Sequence, residues 1–147
     1  MTMHDEIHDF LIKHLQAVQD NDLEAYRATS AEDLAVYEWW LTPHRIDGLP
    51  FHEFMISADA LRNTQKSAES HVGELTIRSR FDLANLRIQQ YGNTAIASYT
   101  LLNSTSLPDG ERVEAHNESR VMVKLDGIWK VVHVHKSPCW NAPHVAN

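Results

Sequence analysis

Glu111–Ser137 reads ERVEAHNESRVMVKLDGIWKVVHVHKS, and the period of this stretch decides the fold. Val113, Ala115, Val121, Val123 and Leu125 fall on one side of an extended chain, and His116, Glu118, Arg120, Met122 and Lys124 fall on the other. Asp126-Gly127 then supplies the chemistry of a tight hairpin turn, and extended character resumes over Trp129–Ser137. Two long antiparallel strands result. Upstream, Tyr91-Gly92-Asn93 and Pro108-Asp109-Gly110 mark two more turns, which divide the second half into strands over Glu74–Gln90, Thr94–Ser106, Glu111–Leu125 and Trp129–Ser137. The first of these is long enough to require a bulge or bend near Asp82.

The first half follows another period. Ile7, Phe10, Leu11, Leu15 and Val18 form one helical stripe over residues 3–20, with Thr2 as N-cap and Asp5, Glu6 and Asp9 suited to the positive end of the dipole. Asn21-Asp22 breaks this helix and caps a shorter one through Leu23 and Tyr26 toward Leu34. Leu34–Trp40 reads as a strand closed by Pro43. After Asp47-Gly48, Pro50 opens a third helix with Phe51, Phe54, Met55, Ala58 and Leu61 as its buried stripe. Helices first and a long sheet afterwards is α+β architecture, with the helices packed in a strongly curved antiparallel sheet. Residues 1–147 make one domain, and Pro138–Asn147 reads as a surface extension.

Composition narrows the function. With 43% hydrophobic residues the chain can build a core without disulfides, and its one cysteine, Cys139, excludes a disulfide framework or a thiolate zinc site. The net charge of -7 with scattered Lys and Arg disfavours nucleic acid as a partner. An acidic N-terminus and no apolar run of roughly 18 residues point away from export and from the membrane, so the expected compartment is the cytoplasm. Ten histidines raise metal binding and pH sensing. His4, His8 and His14 read as solvated on the first helix. His133 and His135 point the same way, but a metal would need a third ligand such as Glu118 or His116, and no metal is expected.

Two stretches carry a family resemblance. Tyr37-Glu38 followed by Ile46-Asp47-Gly48-Leu49-Pro50-Phe51-His52-Glu53-Phe54, and Glu118-Ser119-Arg120-Val121 followed by Asp126 through Ser137, together resemble the association (hub) domain of calcium/calmodulin-dependent protein kinase II. The likeness spans roughly residues 7 to 138. It implies the nuclear transport factor 2-like superfamily, which includes SnoaL-like bacterial relatives. Its fold is a cone-shaped half-barrel enclosing one pocket between sheet and helices. The sequence has no glycine-rich phosphate loop and no His-Arg-Asp catalytic loop, so neither a kinase nor a cofactor is expected.

The resemblance also suggests a pocket suited to a small carboxylate. His52 matches the family's pocket histidine, Arg120 matches one arginine, Lys136 stands where another would be, and Thr100 takes a third arginine position. The ligand-binding set is therefore Tyr37, Trp39, His52, Tyr99, Glu118, Arg120 and Lys136, with His52 and His135 as candidate proton carriers. Tyr37 and Trp39 share a side of their strand and offer an aromatic wall. Asp33 and Glu38 are the nearest candidate acid-base carboxylates, but Glu38 alternates away from that wall. His135 and Lys136 cannot both enter the pocket without a bulge. Arg120 is expected to keep donors free, because Glu118 is a poor fork partner from the same strand. The leading expectation is a homo-oligomer, at least a dimer, that binds a small anionic molecule and buries Val121, Val123 and Leu125 against a second subunit. An acid-base enzyme of the same fold and a purely structural assembly domain are the alternatives.

Overall fold

The computed structural model describes residues 3–55, 57 and 78–139. Helix α1 (Met3–Asp20) forms on the expected stripe and buries Ile7, Leu11 and Leu15. His14 follows Leu11 by three residues and Ile7 by seven, so it lies on that same stripe. It is fully buried, which corrects its reading as solvated; His8 is exposed, and the His4 side chain lies outside the described residues. Asn21, at φ 53, ends the helix in the left-handed conformation, and the Asp22 amide returns to the Ala17 carbonyl at 2.9 Å. Asp22 then caps α2 (Leu23–Thr29), its carboxylate accepting from the Ala25 amide at 3.2 Å.

The chain turns directly from α2 into β1 (Ser30–Tyr37), so Leu34 belongs to a strand, and Trp39 and Trp40 lie beyond its end in a turn. That turn is held by the Leu41 and Thr42 amides, which donate to the Glu38 carbonyl at 3.1 and 3.2 Å. After the short β2 (Ile46–Asp47), Gly48 adopts φ 93 and leads into helix α3, described over 49–55. The inward positions of α3 are Leu49 and His52, while Phe51 and Phe54 are 53% and 67% exposed. The expected stripe was out of phase because the polar His52 takes the inward place. Ala58 and Leu61 lie outside the described residues.

Four long strands follow, β3 (Arg78–Tyr91), β4 (Thr94–Leu107), β5 (Gly110–Leu125) and β6 (Ile128–Pro138). Residues 74–77 of the expected first strand lie outside the described residues, as do residues 140–147 of the expected tail. Asp126 and Gly127, at φ 51 and 79, form the two-residue turn between β5 and β6. The sheet order is β2-β1-β6-β5-β4-β3. The meander β3–β6 is antiparallel as expected, and β1 makes the whole sheet mixed, because it pairs parallel with β6. Most of the chain separates those two strands, so no tight hairpin dictates their relative direction.

Two irregularities bend the long strands. In β3 the register shifts between Ala84 and Arg87, with Asn85 at φ 55, a few residues beyond the bend expected near Asp82. In β6 the pairing steps from Met122↔Val131 to Val121↔His133, leaving Val132 as an extra residue. Helix α1 closes the concave face over a core that includes Leu34, Val36, Ala97, Met122, Val131 and Val134. Among the described residues no helix is long and apolar enough to cross a membrane.

Candidate functional site

The Val132 bulge decides which residues of β6 look inward. Trp129 and Val131 face the interior before it, and Val134 and Lys136 face the interior after it, because one extra residue inverts the alternation. Lys136 is therefore buried and His135 is exposed. On β5 the inward residues are Glu118, Arg120 and Met122, and Arg120 is only 2% exposed. Val121 and Val123 lie half-buried on the outer, convex face. From Glu118 to Val123 this strand thus carries its charges inside and its valines outside.

Cross-strand register gathers the inward polar groups. Tyr99 pairs with Glu118, and Glu118 pairs with Lys136, so three strands present these side chains side by side. The Tyr99 hydroxyl donates to Glu118 Oε1 at 2.7 Å, and Arg120 Nη1 donates both to Tyr99 Oη at 2.6 Å and to Glu118 Oε1. His116 Nε2 reaches the second oxygen of Glu118. Glu38, one residue past β1, continues the inward phase of Leu34 and Val36 and accepts from Lys136 Nζ at 2.9 Å. His52 Nε2 approaches the same Glu38 oxygen at 3.3 Å, and its Nδ1 lies 2.7 Å from the Tyr26 hydroxyl.

Proton positions follow from this pattern. Glu38 only accepts when ionised, so His52 carries its proton on Nε2 and Tyr26 donates to Nδ1. Both nitrogens of His52 are then engaged. The Thr29 hydroxyl donates to a backbone carbonyl of α2, Ala25 at 3.0 Å or Tyr26 at 3.2 Å, and so accepts from His14 Nδ1 at 2.8 Å. Among the described residues His14 Nε2 is left as a buried lone pair without a partner, and Arg120 Nε as a buried donor without one.

Burial and charge set the ionisation of the cluster. Burial raises Glu38, but Lys136 and then His52 outweigh it and bring the carboxyl down to about 2. Burial likewise opposes ionisation of Glu118, yet Arg120 and Lys136 hold it well below the usual carboxylate range. Burial first, and then the Arg120 charge, pushes His14 well below its ordinary 6.5. Burial also raises the Tyr26 and Tyr99 phenols, which keeps both as hydrogen-bond donors.

All three depressed groups bind protons more tightly in the unfolded chain than in the folded one, so the stability they confer is complete at neutral pH and is lost as pH falls. We expect the denaturant midpoint to hold from pH 8 to about 7, drift down below about 6.5 as unfolded His14 protonates, and fall steeply below about 4.5. Glu38 alone accounts for about 3 kcal/mol of that loss. A midpoint unchanged down to pH 3 would contradict this assignment.

The expected site residues separate into two groups. His52, Tyr99, Glu118, Arg120 and Lys136 meet in the interior. Tyr37, half-buried on the other face, has its ring 4.8 Å from that of His135, so neither joins the cluster. Trp39 stands at the rim, 42% exposed, because β1 ends before it. Its ring lies 5.3 Å from His116 and 4.8 Å from Trp40, and Trp40 in turn covers Lys136 Nζ at 4.9 Å. Arg120 does not keep all its donors free, since adjacent inward positions bring Glu118 within reach after all. Sequence reasoning missed Tyr26 and His14, and named Glu38 only to set it on the outward side. Glu38 was legible as the next inward step after Leu34 and Val36, and His14 from its place on the α1 stripe.

Two cavities lie away from this cluster, one of about 460 Å³ between α1 and β3 and one of about 670 Å³ beside the β5–β6 turn. Among the described residues no group of three or more histidine, cysteine or carboxylate side chains is arranged to hold a metal ion.

Known structures share this arrangement of helices and sheet. The association domain of the C. elegans kinase superposes with a TM-score of 0.72 at 23% identity, covering 91% of this chain and 94% of that one. The S. rosetta kinase hub gives 0.67 at 22%, covering 90% and 94%. A nuclear transport factor 2-like protein from Cytophaga hutchinsonii gives 0.69 at 19%, covering 95% and 100%. These likenesses establish the nuclear transport factor 2-like α+β half-barrel. The family model described as the calcium/calmodulin dependent protein kinase II association domain matches residues 3–140, and the chain belongs to that family.

Proposed function

We propose that this chain is a homo-oligomeric association-type domain whose polar interior binds a small carboxylate, working in a reducing compartment such as the cytoplasm. The inversion of β5 carries this reading. A strand that turns Glu118 and Arg120 inward and Val121 and Val123 outward is reversed relative to an ordinary monomer. Its convex face calls for cover by a second copy, and its interior suits a small polar guest better than further apolar packing. The hub domains among the structural relatives support the assembly half. The guest would meet Lys136 and Arg120, with Trp39, Trp40 and His116 as the entrance. Catalysis by His52 gains no support from the geometry, because neither of its nitrogens is free to take a substrate proton.

Calorimetric titration with straight-chain carboxylates from acetate to hexanoate tests the binding half. Lys136→Met, which keeps the side-chain bulk and removes the ammonium, should weaken binding by roughly 1.5–3 kcal/mol, the worth of a hydrogen bond to a charged group. Equal binding by a folded Lys136→Met variant, or no heat with any of these acids, would remove the carboxylate from the reading.

A further inference from the structure

We propose that a carboxylate entering this interior is accompanied by one proton, and that His116 takes that proton up. The inference rests on the small-carboxylate reading above and adds to it how the guest's charge is accommodated. The interior is already balanced: Arg120 is paired with Glu118 and Lys136 with Glu38, two cations against two carboxylates. One more carboxylate leaves an unbalanced negative charge in a site nearly closed to water, and such a charge is ordinarily neutralised by a proton.

Three histidines could hold that proton. His14 is sealed from solvent, and its one free nitrogen sits where burial and the Arg120 charge both oppose a second proton. His52 can be protonated on Nδ1 only if Tyr26, which donates to that nitrogen, turns its hydroxyl round. His116 has neither obstacle. Its side chain is 18% exposed, its Nε2 faces Glu118, and no described residue bonds its Nδ1.

Charged and aromatic groups surround His116. On its own strand it faces Glu118, with Arg120 beyond. From β6 come Lys136, opposite Glu118, and Pro138, opposite His116 itself. From β4 come Leu101, its cross-strand neighbour, and Tyr99, which bonds Glu118. The rings of Trp39 and Trp40 approach from the turn after β1, next in the chain to Glu38, which accepts from Lys136. A proton on Nδ1 turns His116–Glu118 into a full ion pair. Glu118 is then less committed to Arg120, whose guanidinium turns toward the guest. Arg120 Nε, buried and without a partner among the described residues, is the donor already waiting.

Hexanoate titrated into the wild-type oligomer in phosphate and in Tris at about pH 8 reads the proton directly, because the two buffers differ in heat of ionisation. Uptake of close to one proton per hexanoate is expected, with affinity falling about tenfold per pH unit toward pH 9. His116→Gln keeps a donor toward Glu118 but cannot take up the proton, so its binding should show no uptake and no pH slope. Wild-type binding without uptake overturns the inference and leaves the carboxylate reading intact. Undiminished uptake by His116→Gln overturns the assignment to His116. No binding of hexanoate or its shorter relatives overturns both.

Discussion

Glu118→Ala is expected to destabilise the folded protein by about 3–5 kcal/mol, the usual cost of leaving one member of a buried ion pair without its partner. The substitution leaves Arg120 as a charge that is 2% exposed, and it removes the acceptor shared by Tyr99 and His116. A surface salt bridge would be worth far less, which makes the magnitude itself informative. Removing both partners should be milder. The double variant Glu118→Leu with Arg120→Met replaces the pair by apolar groups of similar volume, and such replacements are often neutral or stabilising. Denaturant unfolding of the two variants at one protomer concentration checks this, since assembly shifts apparent stability by mass action. If the single variant loses less than about 1 kcal/mol, Arg120 is not the buried, Glu118-dependent cation described above.

Val121→Glu should separate folding from assembly. Val121 faces outward between Ile96 on β4 and His133 on β6, all three half-buried on the convex face. A glutamate there remains solvated in an isolated protomer, so the fold should survive with a change near the surface norm of about 0.5 kcal/mol. In an assembled protein the same carboxylate would be buried in an apolar contact beside its symmetry mate, which costs far more than such a contact supplies. The expected result is a folded protein of protomer mass with an unchanged circular dichroism spectrum. A Val121→Glu protein that keeps the wild-type mass would place the interface elsewhere.

The elements were legible wherever one period ran uninterrupted. The α1 stripe, the Asp126-Gly127 turn and the two faces of β5 follow directly from residue spacing. Phase was lost where a single residue interrupts the count. Nothing in the valine-rich run Val131-Val132-His133-Val134 announces that Val132 is the extra residue, yet that bulge alone decides between His135 and Lys136. The α3 stripe failed for the reverse reason: apolar spacing selected Phe51 and Phe54, while the buried position belongs to a histidine bonded to Tyr26. Tyr37 and Trp39 were read as the inward side of β1, so Glu38 was set aside with the outward residues. The strand in fact turns Leu34 and Val36 inward, and Glu38 keeps that phase to meet Lys136. Buried polar clusters are hard to read because their members come from distant parts of the chain and break the apolar pattern at each position.

The assembly itself is open to one direct measurement, the mass of the wild-type protein by light scattering at micromolar concentration. An outward valine face on β5 predicts a mass of at least twice the 16.8 kDa protomer, holding on dilution through the micromolar range. A mass of 16.8 kDa across that range would mean that the convex face stands bare in water, and would contradict the homo-oligomeric reading.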